Sequence, residues 1–117
     1  VTRIAVVIVN FNTRDLLRMC LQSLSTAATT AELEVWVVDN GSRDQSMTMV
    51  ANEFPQVHII ESTHNGGFSY ANNLAIRPLI QRPDAPEYVM ILNPDTVVEA
   101  GAFDVLLAYL QSHPDVG

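Results

Sequence analysis

Four short apolar runs, Arg3 to Val9, Glu34 to Val38, Val57 to Glu61 and Tyr88 to Leu92, each lead through polar, turn-prone residues into a stretch whose apolar positions recur at helical spacing. A run such as Ile4-Ala5-Val6-Val7-Ile8-Val9 has no polar alternation, which suits a central strand buried on both faces. Such a strand needs helices above and below it, and the intervening segments supply them. Leu16, Leu17, Cys20, Leu21 and Leu24 mark a helix over about Thr13 to Thr26, with Arg14, Arg18 and Gln22 between them. Ser42, followed three residues later by Gln45, reads as a capping box for a helix over 44–53 that Pro55 ends. A third helix starts near Ser69 and stops at Pro78 or shortly after, and Phe103, Leu106, Leu107 and Leu110 mark a fourth ending around His113-Pro114. Arg82 to Glu87, with two prolines, reads as a surface loop. Alternating strands and helices predict an α/β fold: a three-layer, Rossmann-like, mostly parallel sheet with helices on both faces and right-handed crossovers.

Composition narrows the function. With 48% hydrophobic residues in 117 the chain supports one core, so residues 1–117 are expected to form one domain. The lone Cys20 excludes an internal disulfide framework. The longest uninterrupted apolar stretch, Ile4 to Val9, is far below the roughly 20 residues of a membrane-spanning helix. Val1 in place of an initiator Met reads as a trimmed boundary, and the expected compartment is cytoplasmic, extending to the inner face of the membrane. A net charge of -7 disfavours nucleic acid as a partner. All six basic residues are Arg, so without Lys both Schiff-base chemistry and a Walker-A phosphate loop are excluded.

In open parallel sheets ligands bind at the carboxyl ends of the strands. Those ends here carry Asn10-Phe11-Asn12, Asp39-Asn40-Gly41-Ser42, the loop Ser62 to Phe68 with Asn65-Gly66-Gly67, and Asn93-Pro94-Asp95. Amides and carboxylates of this kind can read the edge of a base and the hydroxyls of a ribose, a pattern that suits a nucleotide. The first turn, Asn10 to Arg14, has no glycine and therefore lacks the dinucleotide fingerprint. A pyrophosphate must then be neutralised elsewhere. A divalent cation shared between phosphate oxygens and Asp95 is the economical answer, because Mg2+ and Mn2+ commonly bind through one or two carboxylates plus substrate phosphates.

The series Val7-Ile8-Val9-Asn10-Phe11-Asn12, Val37-Val38-Asp39-Asn40-Gly41-Ser42-Arg43-Asp44, Asn65-Gly66-Gly67-Phe68 with Ala71 and Asn73, and Leu92-Asn93-Pro94-Asp95-Thr96 resembles glycosyltransferase family 2, closest to its rhamnosyltransferase-like branch. The motifs follow in that family's order over almost the whole chain. The resemblance implies the nucleotide-binding half of a GT-A fold, serving polysaccharide biosynthesis by binding a nucleoside-diphosphate sugar, a UDP- or dTDP-sugar. It implies that Asp39 hydrogen-bonds the pyrimidine base, with Val9 and Asn10 lining base and ribose. Asn12, Asn40 and Gly41 share those strand-end turns, and Asn65, Gly67 and Asn73 fall beside ribose and diphosphate. Asn93 and Asp95 occupy the family's Asp-x-Asp slot, with Asp95 on the Mg2+ or Mn2+; an amide in the first position should hold a metal more weakly. The family's catalytic base comes from an acceptor half, here expected beyond Gly117, which would recognise a saccharide or lipid-linked acceptor. The chemistry implied is inverting transfer, and the isolated chain is expected to bind nucleotide while transferring little or no sugar.

Plainer readings stand beside these. Asp-Asn-Gly-Ser is ordinary strand-to-helix turn chemistry, Asp95 after Pro94 fits an Asx turn, and Asn65-Gly66-Gly67 fits a flexible loop. His58, His64 and His113 lack zinc-ligand spacing, Cys20 reads as a core thiol, and Trp36 and Phe11 read as core or pocket-wall residues. A small α/β hydrolase is suggested by Gly67-Phe68-Ser69-Tyr70-Ala71, with Ser69, Asp95 and His113 in hydrolase order, although an elbow needs a strand directly before its serine. The non-enzymatic alternative is a nucleotide-binding or regulatory module.

Overall fold

The computed structural model describes residues 1–27 and 29–116; Gly117, the last residue of the expected domain, lies outside the described residues. Eight elements alternate: β1 (Arg3–Asn10), α1 (Arg14–Thr26), β2 (Glu32–Asp39), α2 (Ser46–Glu53), β3 (His58–Glu61), α3 (Phe68–Gln81), β4 (Tyr88–Leu92) and α4 (Ala102–Ser112). The strands form one parallel sheet in the order β3-β2-β1-β4. The most uniformly apolar run is thus the central strand, and residues 4–8 of β1 are all buried.

Alternation along β1 sorts the core into two layers. Ile4, Val6 and Ile8 pack with Val37 of β2 and with Leu17, Cys20, Leu21, Met49, Val50, Phe103 and Leu107 from α1, α2 and α4. Ala5 and Val7 face the other way with Val38, Ala71, Ala75 and Leu79, so α3 covers that face. Small side chains at Ala5, Ala71 and Ala75 let the helix lie close on the sheet. The expected α/β fold with helices on both faces is the fold observed.

Several boundaries shift for local reasons. β2 begins at Glu32 because its N–H bonds the Thr2 carbonyl at 2.8 Å, which extends the β1 ladder to the strand's start. α2 begins at Ser46, two residues later than expected. The capping box does not form: Gln45 sits at φ 65° with no side-chain cap, and Ser42 is engaged elsewhere. α3 runs through Pro78 for three more residues, forgoing one backbone bond. Phe11 is 48% exposed, so it is no core residue. Trp36 lies against the α3 layer, bonds Glu34 through its indole N–H at 2.7 Å and stacks on His58 at 4.4 Å.

Among the described residues β4 has a partner strand on one side only. Around it Ile91, Val97, Val105, Leu106 and Tyr109 are exposed, and a cavity of about 380 Å³ opens among Ile4, Tyr88, Met90, Leu106 and Tyr109. No helix among the described residues is long and apolar enough to cross a membrane.

Phe103 is 1% exposed and fixes α4 to the sheet. Phe103→Ala is expected to lower unfolding free energy by about 3–5 kcal/mol. Leu106→Ala, at a site 47% exposed on the same helix, should cost well under half of that. Urea denaturation of the two variants checks the difference.

Candidate functional site

The sequence runs outward through β1, β2 and β3 and then returns to place β4 on the far side of β1. Strand order reverses there, and such a switch point opens a crevice at the carboxyl ends of the strands. Asn10, Asp39 and Glu61 are register partners across three strands, so they end level with one another. β4 ends with Leu92 opposite Ile8, and Asn93 and Asp95 follow it onto the same rim. With strands about 4.8 Å apart, the ends of β2 and β4 are separated by about 10 Å, with β1 between them.

Along this rim the β1–α1 and β2–α2 connections are stitched together by side chains that bond one another and the backbone. Asn10 Nδ2 donates to Asp39 Oδ1 at 3.0 Å, and Thr13 donates its hydroxyl to Asn10 Oδ1 at 2.6 Å. Ser42 donates its hydroxyl to Asp39 Oδ1 at 2.6 Å and accepts from the Asn12 N–H at 2.8 Å. The Ser42 N–H reaches Asp39 Oδ2 at 2.9 Å. Asn12 Oδ1 accepts from the Arg43 N–H at 2.8 Å, and Asp44 Oδ2 accepts from the Arg14 N–H at 2.9 Å. Asn12 adopts φ 51°, a left-handed conformation that asparagine tolerates better than most residues, and this aims its amide at the neighbouring loop.

Asp39 is 4% exposed and Asn10 is fully buried, yet each polar group has partners, as burial requires. Asp44 has a related position. It accepts from both the N–H and the hydroxyl of Ser46 while holding the first N–H of α1. Burial works against its charge, but the bonds donated by Ser46 and Arg14 outweigh that and hold its carboxyl below the ordinary range.

The remaining sequence-predicted residues divide. Asn40 is buried and donates to the Gly67 carbonyl at 3.3 Å, joining the β2 end to the start of α3, while its Oδ1 has no partner. Gly67 lies at φ 92°, where an L side chain is strained, and its N–H bonds Asn65 Oδ1 at 3.0 Å. Gly41 is exposed on the rim loop at φ 90°, and Val9 is half-buried in the α3 layer. Asn73, Asn93 and Asp95 are exposed, and no side-chain hydrogen bond joins them to the stitched loops among the described residues. Beneath Asn93, the Cys20 thiol lies 3.9 Å from the Asn93 carbonyl. Burial, and then the nearby charge of Asp95, push that thiol up to about 11, so it stays protonated.

Sequence reasoning missed Thr13 and Asp44 and assigned Ser42 to the wrong partner. The available signal was a set of short polar side chains facing one another from consecutive strand ends, which favours cross-loop bonds over local caps. The hydrolase constellation is not assembled. Ser69 lies inside α3, six residues separate β3 from that helix, and α4 carries His113 to its far end, where it stacks on Tyr109 at 4.1 Å. Among the described residues no three His, Cys, Asp or Glu side chains converge.

Comparison with known proteins adds to this geometry. The family model described as Glycosyl transferase family 2 matches residues 5–117. An N-acetylglucosaminyl-diphospho-decaprenol L-rhamnosyltransferase of Mycobacterium tuberculosis is 30% identical over 96% of this chain and 38% of its own length. The chain thus spans about two fifths of the length of that curated relative. Among solved structures, S. aureus TarS 1-349 in complex with UDP-GlcNAc superposes with a TM-score of 0.80 at 22% identity, over 96% of this chain and 32% of the other. Mannosyltransferase PcManGT from Pyrobaculum calidifontis, in complex with GDP-Man and Mn2+, gives 0.79 at 24% identity over 92% and 32%.

Ser42→Ala removes the hydroxyl that both donates to Asp39 and accepts from Asn12, and is expected to destabilise the chain by about 1–3 kcal/mol in urea denaturation. Asp44→Ala should cost about 1–2 kcal/mol at pH 7. Because the Asp44 carboxyl is depressed in the folded state, its stabilisation is complete above the ordinary Asp value of about 4 and disappears as pH falls through the depressed one. The gap between wild type and Asp44→Ala should therefore narrow between pH 7 and pH 2, as measured by unfolding at each pH.

Proposed function

The chain belongs to glycosyltransferase family 2, and from that premise we propose that it is the nucleotide-sugar-binding part of an inverting glycosyltransferase, taking a UDP- or dTDP-sugar as donor. The observation that carries this reading is the row Asn10, Asp39 and Ser42 at the switch point, where two loops are locked by hydrogen bonds while the rim above them stays open. A rim fixed in advance orders less on binding and so loses less affinity to entropy.

In this reading Asp39 and Asn10, with Val9 and Asn12, meet the base and ribose. Asp39 Oδ2 accepts one bond from within the chain, which leaves it capacity to take an N–H from a base. Asn40, Gly41, Asn65, Gly67 and Asn73 border the ribose and diphosphate, and Asn93 and Asp95 border the diphosphate at the end of β4. Asp95 is the residue that would hold Mg2+ or Mn2+, which supplies positive charge for the departing nucleoside diphosphate. The PcManGT complex with GDP-Man and Mn2+ and the TarS complex with UDP-GlcNAc support a donor and a divalent cation on this fold.

The rest of the reaction belongs to polypeptide beyond this chain. There a carboxylate base would take the proton of an acceptor hydroxyl as its oxygen attacks the anomeric carbon, inverting it while the nucleoside diphosphate leaves. We place that acceptor half against the one-sided β4 edge and its exposed apolar neighbours. The acceptor is a saccharide or a lipid-linked saccharide used in polysaccharide biosynthesis, handled in the cytoplasm at the inner face of the membrane.

Calorimetric titration tests the donor site. The chain is expected to bind UDP or dTDP more tightly with Mn2+ than without it, and Asp95→Ala should abolish that difference, weakening binding in Mn2+ by about tenfold or more. Absence of binding to either nucleotide in the presence of Mn2+ would overturn the reading. With a donor sugar and a saccharide acceptor, the chain alone should release no nucleoside diphosphate above background.

A further inference from the structure

The six residues between β3 and α3, Ser62 to Gly67, include two consecutive glycines and so have more backbone freedom than any other part of the rim. Their recorded hydrogen bonds lie at the ends or stay local. The Ser62 N–H bonds the Asp39 carbonyl at 2.9 Å, the Ser62 hydroxyl bonds the His64 carbonyl at 2.6 Å, and Gly67 is held by Asn65 and Asn40. The middle of the loop is held differently. A Cβ placed on Gly66 would overlap Cδ2, Cγ and Cε2 of Tyr70, so the tyrosine ring rests directly on the bare Cα of Gly66. The same ring meets His64, centroid to centroid at 5.0 Å and tilted by 35°. Tyr70 belongs to the first turn of α3, so the helix reaches back over the loop that leads into it.

We propose that Tyr70 is a positioning residue of the nucleotide site: its ring clamps His64 and Gly66 and thereby fixes the loop that presents Asn65 and Gly67. The proposal rests on the reading of this rim as a nucleotide site. The ring body acts, because the Tyr70 hydroxyl has no hydrogen-bond partner among the described residues and the side chain is 39% exposed. Gly66 is needed for close approach alone, since any side chain there occupies the space of the ring. With the clamp released, the loop samples more conformations, and a ligand must order it on binding.

The test uses the whole chain and three variants, Tyr70→Phe, Tyr70→Ala and Gly66→Ala, with two readouts. Without ligand, amide hydrogen exchange at Ser62 and Gly67 should quicken about three- to tenfold in Tyr70→Ala, the scale of one aromatic contact, and stay unchanged in Tyr70→Phe. UDP affinity in Mn2+ should fall by a similar factor in Tyr70→Ala and not in Tyr70→Phe. Gly66→Ala should reproduce Tyr70→Ala in the wild-type background and add nothing in the Tyr70→Ala background, because both remove one contact. Unchanged exchange in Tyr70→Ala, or a Tyr70→Phe variant as impaired as Tyr70→Ala, overturns the clamp. If the wild type binds no UDP while exchange behaves as expected, the clamp stands and the nucleotide reading falls.

Discussion

The structure turns on one buried carboxylate. Asp39 ends the second strand beside the central one, where little water reaches its charge, and a charge in that position is tolerated only with donors aimed at it. The chain supplies three, from the Asn10 amide, the Ser42 hydroxyl and the Ser42 N–H. Meeting that requirement fixes two loops at once, since the donors come from the end of β1 and from the turn after β2. Thr13 then orients Asn10, and Asn12 closes the turn against Arg43. The shape of the rim follows from the cost of leaving Asp39 unpaired.

In a chain of net charge -7 the rim's own carboxylates are held in hydrogen bonds. Asp39 and Asp44 are both surrounded by neutral donors, so their charges are spread into hydrogen bonds within the rim. Elsewhere the arginines neutralise acids: Arg18 pairs with Glu53 and Asp15, and Arg82 holds Glu34 through two bonds at 2.9 and 3.0 Å. That last contact, with the Trp36 N–H, draws the Glu34 carboxyl below its usual range against the effect of burial. Arg43 differs. Its backbone is anchored on the rim by Asn12, but its guanidinium is in no ion pair among the described residues. Asp95 and Glu61 are exposed on the rim as well and, among the described residues, in no ion pair, so the rim carries an uncommitted cation at Arg43 and uncommitted carboxylates on both sides of β1.

The layers of the fold were legible because they depend on patterns that physics repeats: unbroken β-branched runs for strands buried on both faces, and 3.6-residue spacing for helices packed on them. Strand ends were legible as places for chemistry for the same reason. The detail of the rim was not. Ser42 has the right spacing to Gln45 for a capping box, but its hydroxyl donates to the buried Asp39 carboxylate and its oxygen accepts from the Asn12 N–H, so it serves the neighbouring loop and not a helix N–H. Asp44 looks like a turn residue because its bonds to Ser46 are local, while the partner that ties it across the rim, Arg14, is thirty positions away. Phe11 was assigned to the core or to a pocket wall on its apolarity alone, while the turn at Asn12 leaves it half exposed beside the open rim. Asn93 and Asp95 stand on the expected rim, yet among the described residues no side-chain hydrogen bond of theirs ties them to the stitched loops, so their place follows from the end of β4 alone.

The two edges of the sheet differ in kind. β3 is four residues long with a charged or polar residue at each end, His58 and Glu61, the form that discourages further strand pairing. β4, at the other edge, is Tyr88-Val89-Met90-Ile91-Leu92, with no charge in it and with Ile91 49% exposed. An edge of that composition invites a partner strand, and the apolar residues of α4 that flank it extend the invitation to both sheet and helix. The polar rim lies at the end of this same strand, in the residues that run from Asn93 to Asp95. A strand paired with β4 would run alongside the residues that lead to Asp95, so the open edge of the sheet and this end of the rim belong to one strand.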